Sequence, residues 1–362
     1  MKYAFLLSKE DLKLAKHEVL SLLNTKSLKL IDNLLFLESN NIKSANRLAY
    51  TKKVYQLLFE TDKKNLINKI KDFNWQNIYK KDFCVKIHKL DNTPTRDKQG
   101  RETLNLQSKF MASSNGTNIK EKDLASKIWK TLTKPKVNLK NPKTSIEFFI
   151  IDNKIYSVKL VKELKQNFLA RKPHKRPELH PTGLHPKLAR ALINLAGAEK
   201  EIMDPFCGVG GILIEAGLMD IKPIGYDLYK IMIDKAKTNL KHFKIKNYKL
   251  INEDALKIKK KYNYIVTDPP YGMNTSIWIR KGNKNEKLPI NQTNKKQNLK
   301  QLEDFYLKFL KVLKKILKKK AVVIFPHYVN YKKLIRKVNL KIEKEFEQYI
   351  HGSLTRKIII LS

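Results

Sequence analysis

The stretch EIMDPFCGVGGILIEAG, residues 201–217, joins an apolar run to a glycine-rich turn and then to a second apolar run. Residues 201–204 predict a buried strand, and residues 212–219 predict the helix after the turn. Glycines in such a turn let the main chain approach a ligand closely, and the start of a helix adds unpaired N–H groups. The stretch therefore predicts a ligand-binding turn in an α/β fold.

Three further predicted strands are each followed by an aspartate. KPIGYD ends at Asp227, YKLINEDAL contains Asp254, and YNYIVTDPPYG contains Asp268. Ligands of open α/β sheets bind beyond the carboxyl ends of the strands, so these residues and Asp204 predict one shared crevice. A carboxylate placed like Asp227, 16 residues after Gly211, can accept both hydroxyls of a ribose. Taken singly, the turn is also typical of a structural turn, and Asp227 and Asp254 of helix N-caps.

The turn favours an adenosine with a charged tail over a dinucleotide. Neither a GxGxxG nor a GxxxxGK[ST] motif is present, and the turn begins with an acid and an aromatic residue. S-adenosylmethionine has these properties, because it combines a ribose and an adenine with an amine and a sulfonium that attract acids. The sequence therefore indicates S-adenosylmethionine as the cofactor.

The run IVTDPPYG, residues 265–272, ends a predicted strand on a rigid corner, since its prolines cannot donate to a sheet. Such a corner is suited to hold a planar amino group. The prolines would hold the Asp268 carboxylate and the Tyr271 ring in fixed relative positions. A type I turn with a surface tyrosine is the alternative interpretation.

The composition indicates a polyanionic partner. The formal net charge is +41, from 75 Lys and Arg against 34 Asp and Glu. Such a field attracts nucleic acid, although a genome-wide lysine bias would also produce it. The two cysteines, Cys84 and Cys207, indicate a reducing cytoplasm and exclude a disulfide scaffold or a cysteine-based zinc site. No apolar run reaches bilayer length, so we expect no membrane span.

Changes in pattern along the chain predict four parts. Residues 1–60 and 61–161 alternate strands and helices as small α+β domains do, whereas residues 182–362 show regular β/α alternation. Between them, residues 162–181 form a basic linker with several prolines. The longer helices are predicted over residues 9–23, 120–132 and 302–319.

These motifs carry a family resemblance. DPFCGVGGILIEAG, TDPPYG and the segment HPTGLHPKLARALINLAG (180–197) resemble those of class I tRNA guanine-N2 methyltransferases, whose signature is [DN]-PP-[YFW]. The whole chain is most similar to archaeal enzymes that methylate N2 of guanosine 10. Residues 1–161 resemble the ferredoxin-like and THUMP RNA-binding module of that family. The resemblance implies a doubly wound, mostly parallel seven-stranded sheet with an antiparallel last strand, preceded by that α+β module.

The resemblance also implies roles for individual residues. Phe206, Gly208 and Gly210 would bracket the methionine part of the cofactor, and Thr182 would lie near its carboxylate. Asp227 would hold the ribose, and Asp254 with the Ala255 N–H would contact the adenine. Ser353, Thr355 and Arg356 of the last hairpin would line the pocket, unless they form a simple turn. For the guanine amino group that the resemblance implies as substrate, Asp268 and the Pro269 carbonyl would accept the two N–H groups, and Tyr271 would stack on the base. The long basic loop 273–298 is either a substrate-facing flap or disordered. The full candidate sets are catalytic Asp268, Pro269, Pro270 and Tyr271; cofactor-binding Thr182, Asp204, Pro205, Phe206, Gly208, Gly210, Asp227, Asp254 and Ala255; RNA-binding Arg171, Lys172 and Arg176 of the basic linker and Trp278 and Arg280 of that loop; and no metal.

Several choices stay open at this stage. The substrate is guanosine 10, another tRNA guanosine such as position 6, or an amino group of ribosomal RNA or DNA, since DPPY also occurs among adenine-N6 enzymes. A 4-thiouridine synthetase would require an SGGxDS-type loop, which is absent. A catalytically dead RNA-binding protein is disfavoured by the intact acidic and glycine motifs. The number of methyl groups is also open. The resemblance implies a cytoplasmic monomer that binds tRNA. It leaves open whether a small zinc-binding activator protein, which some relatives use, is needed.

Overall fold

In the computed structural model the chain folds into two compact units, each formed by three separate stretches of sequence. The first contains Met1–Leu12, Leu23–Ala45 and Thr51–Lys165, and the second contains Lys13–Leu22, Asn46–Tyr50 and Gln166–Ser362. The predicted domain boundaries after residues 60, 161 and 181 stay a prediction. The residues that the structure describes are 1–90, 94–96, 102–104, 119–180, 183–272, 278–281, 284–287, 295–352 and 354–362.

The first unit is built on a seven-stranded sheet. Along the chain, the strands of this half are β1 (Lys2–Leu7), β2 (Ser27–Ile31), β3 (Leu34–Glu38), β4 (Thr51–Asp62), β5 (Phe83–Leu90), the short pair β6 (Pro94–Arg96) and β7 (Glu102–Leu104), β8 (Thr144–Ile151) and β9 (Lys154–Glu163). The sheet order is β2-β3-β1-β4-β9-β8-β5, and only β5 and β8 pair in parallel. The ferredoxin-like and THUMP character of this region stays a prediction.

Two helices of this half of the chain share a core with one face of this sheet. The helices of this half of the chain are α1 (Leu12–Leu23), α2 (Leu66–Asp72) and α3 (Glu121–Trp129). Trp75, Phe83 and Phe148 are buried in the core that α2 and α3 share with the sheet. Helix α3 is shorter at both ends than the predicted 120–132, because Thr131 and Leu132 already form turns beyond it.

A buried glutamate explains why most of α1 belongs to the second unit. Glu18 is fully buried, and its Oε1 accepts hydrogen bonds from the Ala49 N–H (2.7 Å) and from Asn194 Nδ2 (2.7 Å). Its Oε2 accepts the Tyr50 N–H at 2.9 Å. A buried carboxylate is stable only when its lone pairs are satisfied, so these bonds tie residues 13–22 and 46–50 to the chain around residue 194.

The second unit contains the expected α/β sheet. Its helices are α4 (Pro186–Ala196), α5 (Gly211–Gly217), α6 (Lys230–His242), α7 (Lys295–Ile316) and α8 (Tyr331–Lys337). Its strands are β10 (Glu201–Asp204), β11 (Lys222–Asp227), β12 (Lys249–Asn252), β13 (Tyr262–Thr267), the pair β14 (Trp278–Lys281) and β15 (Lys284–Lys287), β16 (Leu317–Pro326), β17 (Ile342–His351) and β18 (Leu354–Leu361).

The order of the sheet is β12-β11-β10-β13-β16-β18-β17. The pairs from β12 to β16 are parallel, and β18 runs antiparallel to both β16 and β17. The chain runs outward from β10 through β11 to β12 and then returns to β13 on the other side of β10. The strand order therefore reverses between β10 and β13, and ligands of doubly wound sheets bind at such a point. The predicted doubly wound sheet with an antiparallel last strand is confirmed.

The central strands have the continuous apolar character of strands covered on both faces. Residues 321–326 of β16 are all buried, and Tyr306, Phe309 and Leu313 of α7 pack against that sheet. The predicted helix 302–319 was too long at its end: α7 stops at Ile316, and Leu317 pairs with Tyr262 of β13. Pairing in the sheet therefore overrides the helical preference of the lysine run. Within the described residues, no helix is long and apolar enough to cross a membrane.

Candidate active site

Asp204 links the glycine-rich turn to the neighbouring strand. Its Oδ1 accepts a hydrogen bond from the Phe206 N–H at 3.1 Å. It also accepts one at 2.7 Å from the hydroxyl of Thr267, which is the last residue of β13. Burial raises the pKa of Asp204 to about 7, although both of these bonds act in the opposite direction. Gly208 and Gly210 adopt φ of +50° and +87°, which glycine reaches without a steric cost. The ends of β10 and β13 thus meet at a single carboxylate.

Asp227 ties the end of β11 to the same turn. Its Oδ2 accepts the Gly208 N–H at 2.9 Å, and its Oδ1 accepts the Tyr229 N–H at 2.9 Å. Burial raises the pKa of this carboxyl. Each carboxylate oxygen has two lone pairs, so a ribose can still bond to Asp227 while the amides stay in place.

Asp254 lies beyond β12, which ends at Asn252, and caps the short turn that follows. Its Oδ1 accepts the Leu256 N–H at 2.9 Å, and the residue is 8% exposed. This is the N-cap that was the alternative interpretation of Asp254. Because the cap uses only Oδ1, the expected contact of Asp254 and Ala255 with an adenine stays a prediction.

Two tyrosine hydroxyls hold the main chain of the DPPY corner, residues 268–271. Tyr306 of α7 donates to the Pro270 carbonyl at 3.2 Å, and Tyr328 donates to the Tyr271 carbonyl at 2.8 Å. Among the described residues, no donor bonds to the Pro269 carbonyl, which leaves this acceptor available. Sequence analysis missed both tyrosines, since no local motif connects them to the corner.

The side chains of the corner form a chain of hydrogen bonds. Tyr271 donates its hydroxyl to Asp268 Oδ1 at 2.6 Å and accepts a bond from Arg356 Nε at 2.9 Å. Burial raises the pKa of Asp268 to about 6, although the Arg356 charge and the Tyr271 hydroxyl lower it. Arg356, which the resemblance places in this pocket, therefore contacts the corner directly through Tyr271, and its role there stays a prediction.

Three arginines surround one buried glutamate near the glycine turn. Glu215 of α5 accepts bonds from Arg171 Nε (2.7 Å) and Arg190 Nε (2.9 Å) and is fully buried. Arg176, which is 4% exposed, donates through Nε to the Arg171 carbonyl at 3.1 Å. Its Nη1 and Nη2 have no partner among the described residues, and a Cβ at Gly211 would lie 3.1 Å from Nη1. Glu215 attracts the Arg176 charge, but the two terminal guanidinium nitrogens beside the turn have no hydrogen-bond acceptor among the described residues.

The residues predicted to contact RNA are placed differently. Arg176 is buried and donates to the Arg171 carbonyl, whereas Arg171 is partly buried and bonds to Glu215. Contact of these two arginines with RNA stays a prediction. Lys172 is partly exposed. The side chains of Trp278 and Arg280, and all of Thr182, lie outside the described residues. Their predicted roles stay predictions, as does the role of Pro205.

The sheet order, the glycine turn after β10 and the DPPY corner after β13 together define a class I methyltransferase. Residues 173–287 match the family model described as an RMKL-like methyltransferase domain. The chain is 31% identical, over 322 residues, to the tRNA (guanine(10)-N2)-dimethyltransferase of Methanothermobacter thermautotrophicus, which covers 87% of this chain and 83% of that protein.

Two further relatives define the range of similarity. The enzyme of the same name from Pyrococcus abyssi is 33% identical over 232 residues, with 62% of this chain and 64% of that protein covered. A tRNA (guanine(6)-N2)-methyltransferase from Methanocaldococcus jannaschii is 28% identical over 224 residues, with 49% and 53% covered. The chain belongs to the tRNA (guanine(10)-N2)-dimethyltransferase family, and the predicted family is confirmed.

Proposed function

We propose that this protein transfers methyl groups from S-adenosylmethionine to the N2 amino group of guanosine 10 in tRNA. The observation that carries the proposal is the 2.7 Å bond between Thr267 and Asp204. Through this bond the DPPY corner, suited to an amino group, adjoins the glycine turn, suited to the cofactor. Family membership favours position 10.

The residues of the turn fit the cofactor. Asp227 has lone pairs left for the ribose hydroxyls, and the Gly208–Gly210 main chain allows close approach to the methionine part. The two guanidinium nitrogens of Arg176 that have no described partner beside Gly211 fit the methionine carboxylate, because buried N–H donors without an acceptor are costly. S-adenosylmethionine supplies a methyl group that is already activated on a sulfonium.

Arg176→Met is expected to weaken the binding of S-adenosylhomocysteine by about 10-fold or more, because a hydrogen bond to a charged group contributes about 1.5–3 kcal/mol. Calorimetric titration measures this. 5′-Methylthioadenosine lacks the carboxylate and should bind to the parent protein and the variant with equal affinity. Lys172→Met, which removes a neighbouring cation, serves as the control. Equal weakening of both ligands would instead indicate a distorted turn and contradict the assignment of Arg176.

The DPPY corner then accounts for the chemistry. The guanine amino group is a weak nucleophile, since its lone pair is delocalised into the ring. Asp268 and the Pro269 carbonyl accept its two N–H groups and aim the nitrogen lone pair at the methyl group. As the N–C bond forms, positive charge develops on N2, the Asp268 carboxylate stabilises it, and Asp268 then takes the proton. Stacking on Tyr271 offsets the cost of moving the base out of its stack, by about 1–3 kcal/mol.

Mass-spectrometric mapping of tRNA incubated with the protein and labelled cofactor tests the function. We expect N2-methylguanosine and N2,N2-dimethylguanosine at position 10. Label at position 6 would favour methylation of guanosine 6, the activity in the name of a relative that aligns with 49% of this chain. Label on adenine, ribosomal RNA or DNA alone would overturn the proposal. The monomeric state, the cytoplasmic location and the activator protein stay predictions from resemblance.

A further inference from the structure

The hydroxyl of Tyr271 is held from both sides. It accepts a hydrogen bond from Arg356 Nε at 2.9 Å and donates its own proton to Asp268 Oδ1 at 2.6 Å. An arginine can only donate, so its bond to the hydroxyl oxygen directs the hydroxyl proton to the carboxylate. Oδ1 receives this bond, whereas no donor among the described residues bonds to Oδ2, so Oδ2 is the oxygen with both lone pairs left for a substrate.

Arg356 comes from the interior of the sheet and not from a loop. It lies on β18, paired with Pro326 of β16 on one side and with Gln348 of β17 on the other. Its guanidinium carbon lies 5.9 Å from the centre of the Tyr271 ring. A side chain that starts from a strand bonded on both edges has a well-defined origin, so it can position a partner accurately.

We infer that Arg356 and the Tyr271 hydroxyl act as a positioning pair that orients Asp268 and keeps one of its oxygens free to accept the amino group of the substrate. This inference rests on the proposed function and adds Arg356 to the residues that govern its chemistry. It also gives Tyr271 a second role, because fixing the hydroxyl end of the ring restricts the plane on which a base would stack.

The charges around Asp268 show what the pair contributes. Among the described residues, the titratable groups that interact with it are Asp204 of β10, Tyr306 of α7, Tyr271 and Arg356. Burial raises the pKa of Asp268 to about 6, and Asp204 is a second acid close by. Arg356 is the cation that opposes this rise. Since the carboxylate must be ionised to take a proton, removal of Arg356 would leave more Asp268 protonated near neutral pH.

Single-turnover methyl transfer, with saturating cofactor and tRNA from about pH 5 to about pH 9, tests the pair. The parent rate should rise with pH through about 6. In Arg356→Met the midpoint of this rise should lie about 1 pH unit or more higher than in the parent protein. Arg356→Lys keeps the charge and should shift the midpoint less. Tyr271→Phe keeps the ring but loses the hydroxyl, so it should also move the rise upward while tRNA affinity is retained.

Lys357→Met is the matched control, because Lys357 follows Arg356 on β18, points to the opposite face and pairs with Glu347. It should leave the pH profile unchanged. Asp204 lies at the turn proposed for the cofactor. Cofactor affinity measured over the same pH range therefore shows any separate titration of Asp204. Carbon-13 NMR of the Asp268 carboxyl, assigned with Asp268→Asn, reads the same upward shift in pKa without requiring activity.

Two results would overturn the inference: an Arg356→Met variant that is slower at every pH with an unmoved rise, or an unmoved Asp268 titration in Tyr271→Phe. If Arg356→Met does not fold, Tyr271→Phe decides. A parent protein that titrates at Asp268 as expected but forms no N2-methylguanosine would contradict the proposed function and leave the positioning pair standing.

Discussion

Asp268→Ala is expected to slow methyl transfer to tRNA by about 10²–10⁴-fold, the usual contribution of a positioned acid or base. The variant loses the acceptor for one N–H, the negative charge opposite the developing cation and the group that takes the proton. Tyr271 also loses the acceptor of its hydroxyl bond. Single-turnover kinetics with labelled cofactor measure the chemical step directly.

Asp268→Asn separates these contributions. The amide keeps the shape and one acceptor oxygen but has no charge and no basicity, so its rate should lie between those of the parent and Asp268→Ala. Binding of S-adenosylhomocysteine and of tRNA should stay close to parental in both variants. A near-parental rate in Asp268→Ala would show that the DPPY corner does not perform the chemistry.

Glu215→Ala is expected to lower the free energy of unfolding by about 3–5 kcal/mol, because removal of one partner leaves buried charges uncompensated. Arg171 and Arg190 both bond to this carboxylate, and all three side chains are almost completely buried. The unfolding transition in urea, followed by circular dichroism, measures the loss.

A surface ion pair provides the comparison for Glu215. Glu178 lies 3.4 Å from Lys235, with both side chains about one-third exposed, and Glu178→Ala should cost no more than about 1 kcal/mol. Glu215→Gln keeps hydrogen-bond acceptors but loses the charge and should fall between the two. If Glu215→Ala lost no more free energy of unfolding than Glu178→Ala, Glu215 would not be needed to compensate the buried charges of the arginines around it.

Much of the site was predictable because its motifs are local. The glycine turn, the strands on either side of it and the aspartates at the strand ends each follow from fewer than about ten consecutive residues. Parallel strands in a doubly wound sheet bring their carboxyl ends to one edge, so Asp204 and Asp227 were expected to be close. The structure joins both to the glycine turn, through Phe206 and Gly208.

The errors came where long-range contacts compete with local preference. The end of α7 was misplaced because Leu317 is paired in the sheet, which no helical pattern can reveal. The basic stretch that contains Arg176 likewise gives no local sign that this side chain is buried. Its burial depends on Arg171, Glu215 and the absence of a side chain at Gly211.

The sequence by itself determined the class of fold, the cofactor turn and the amino-binding corner, because each is specified by the chemistry of a few neighbouring residues. Only the tertiary structure decided what supports them. Arg356 reaches Tyr271 across 85 residues, Tyr306 reaches Pro270 across 36, and Asn194 reaches Glu18 across 176. Such contacts form only when these strands and helices have packed together, since the side chains come from elements that are distant in sequence.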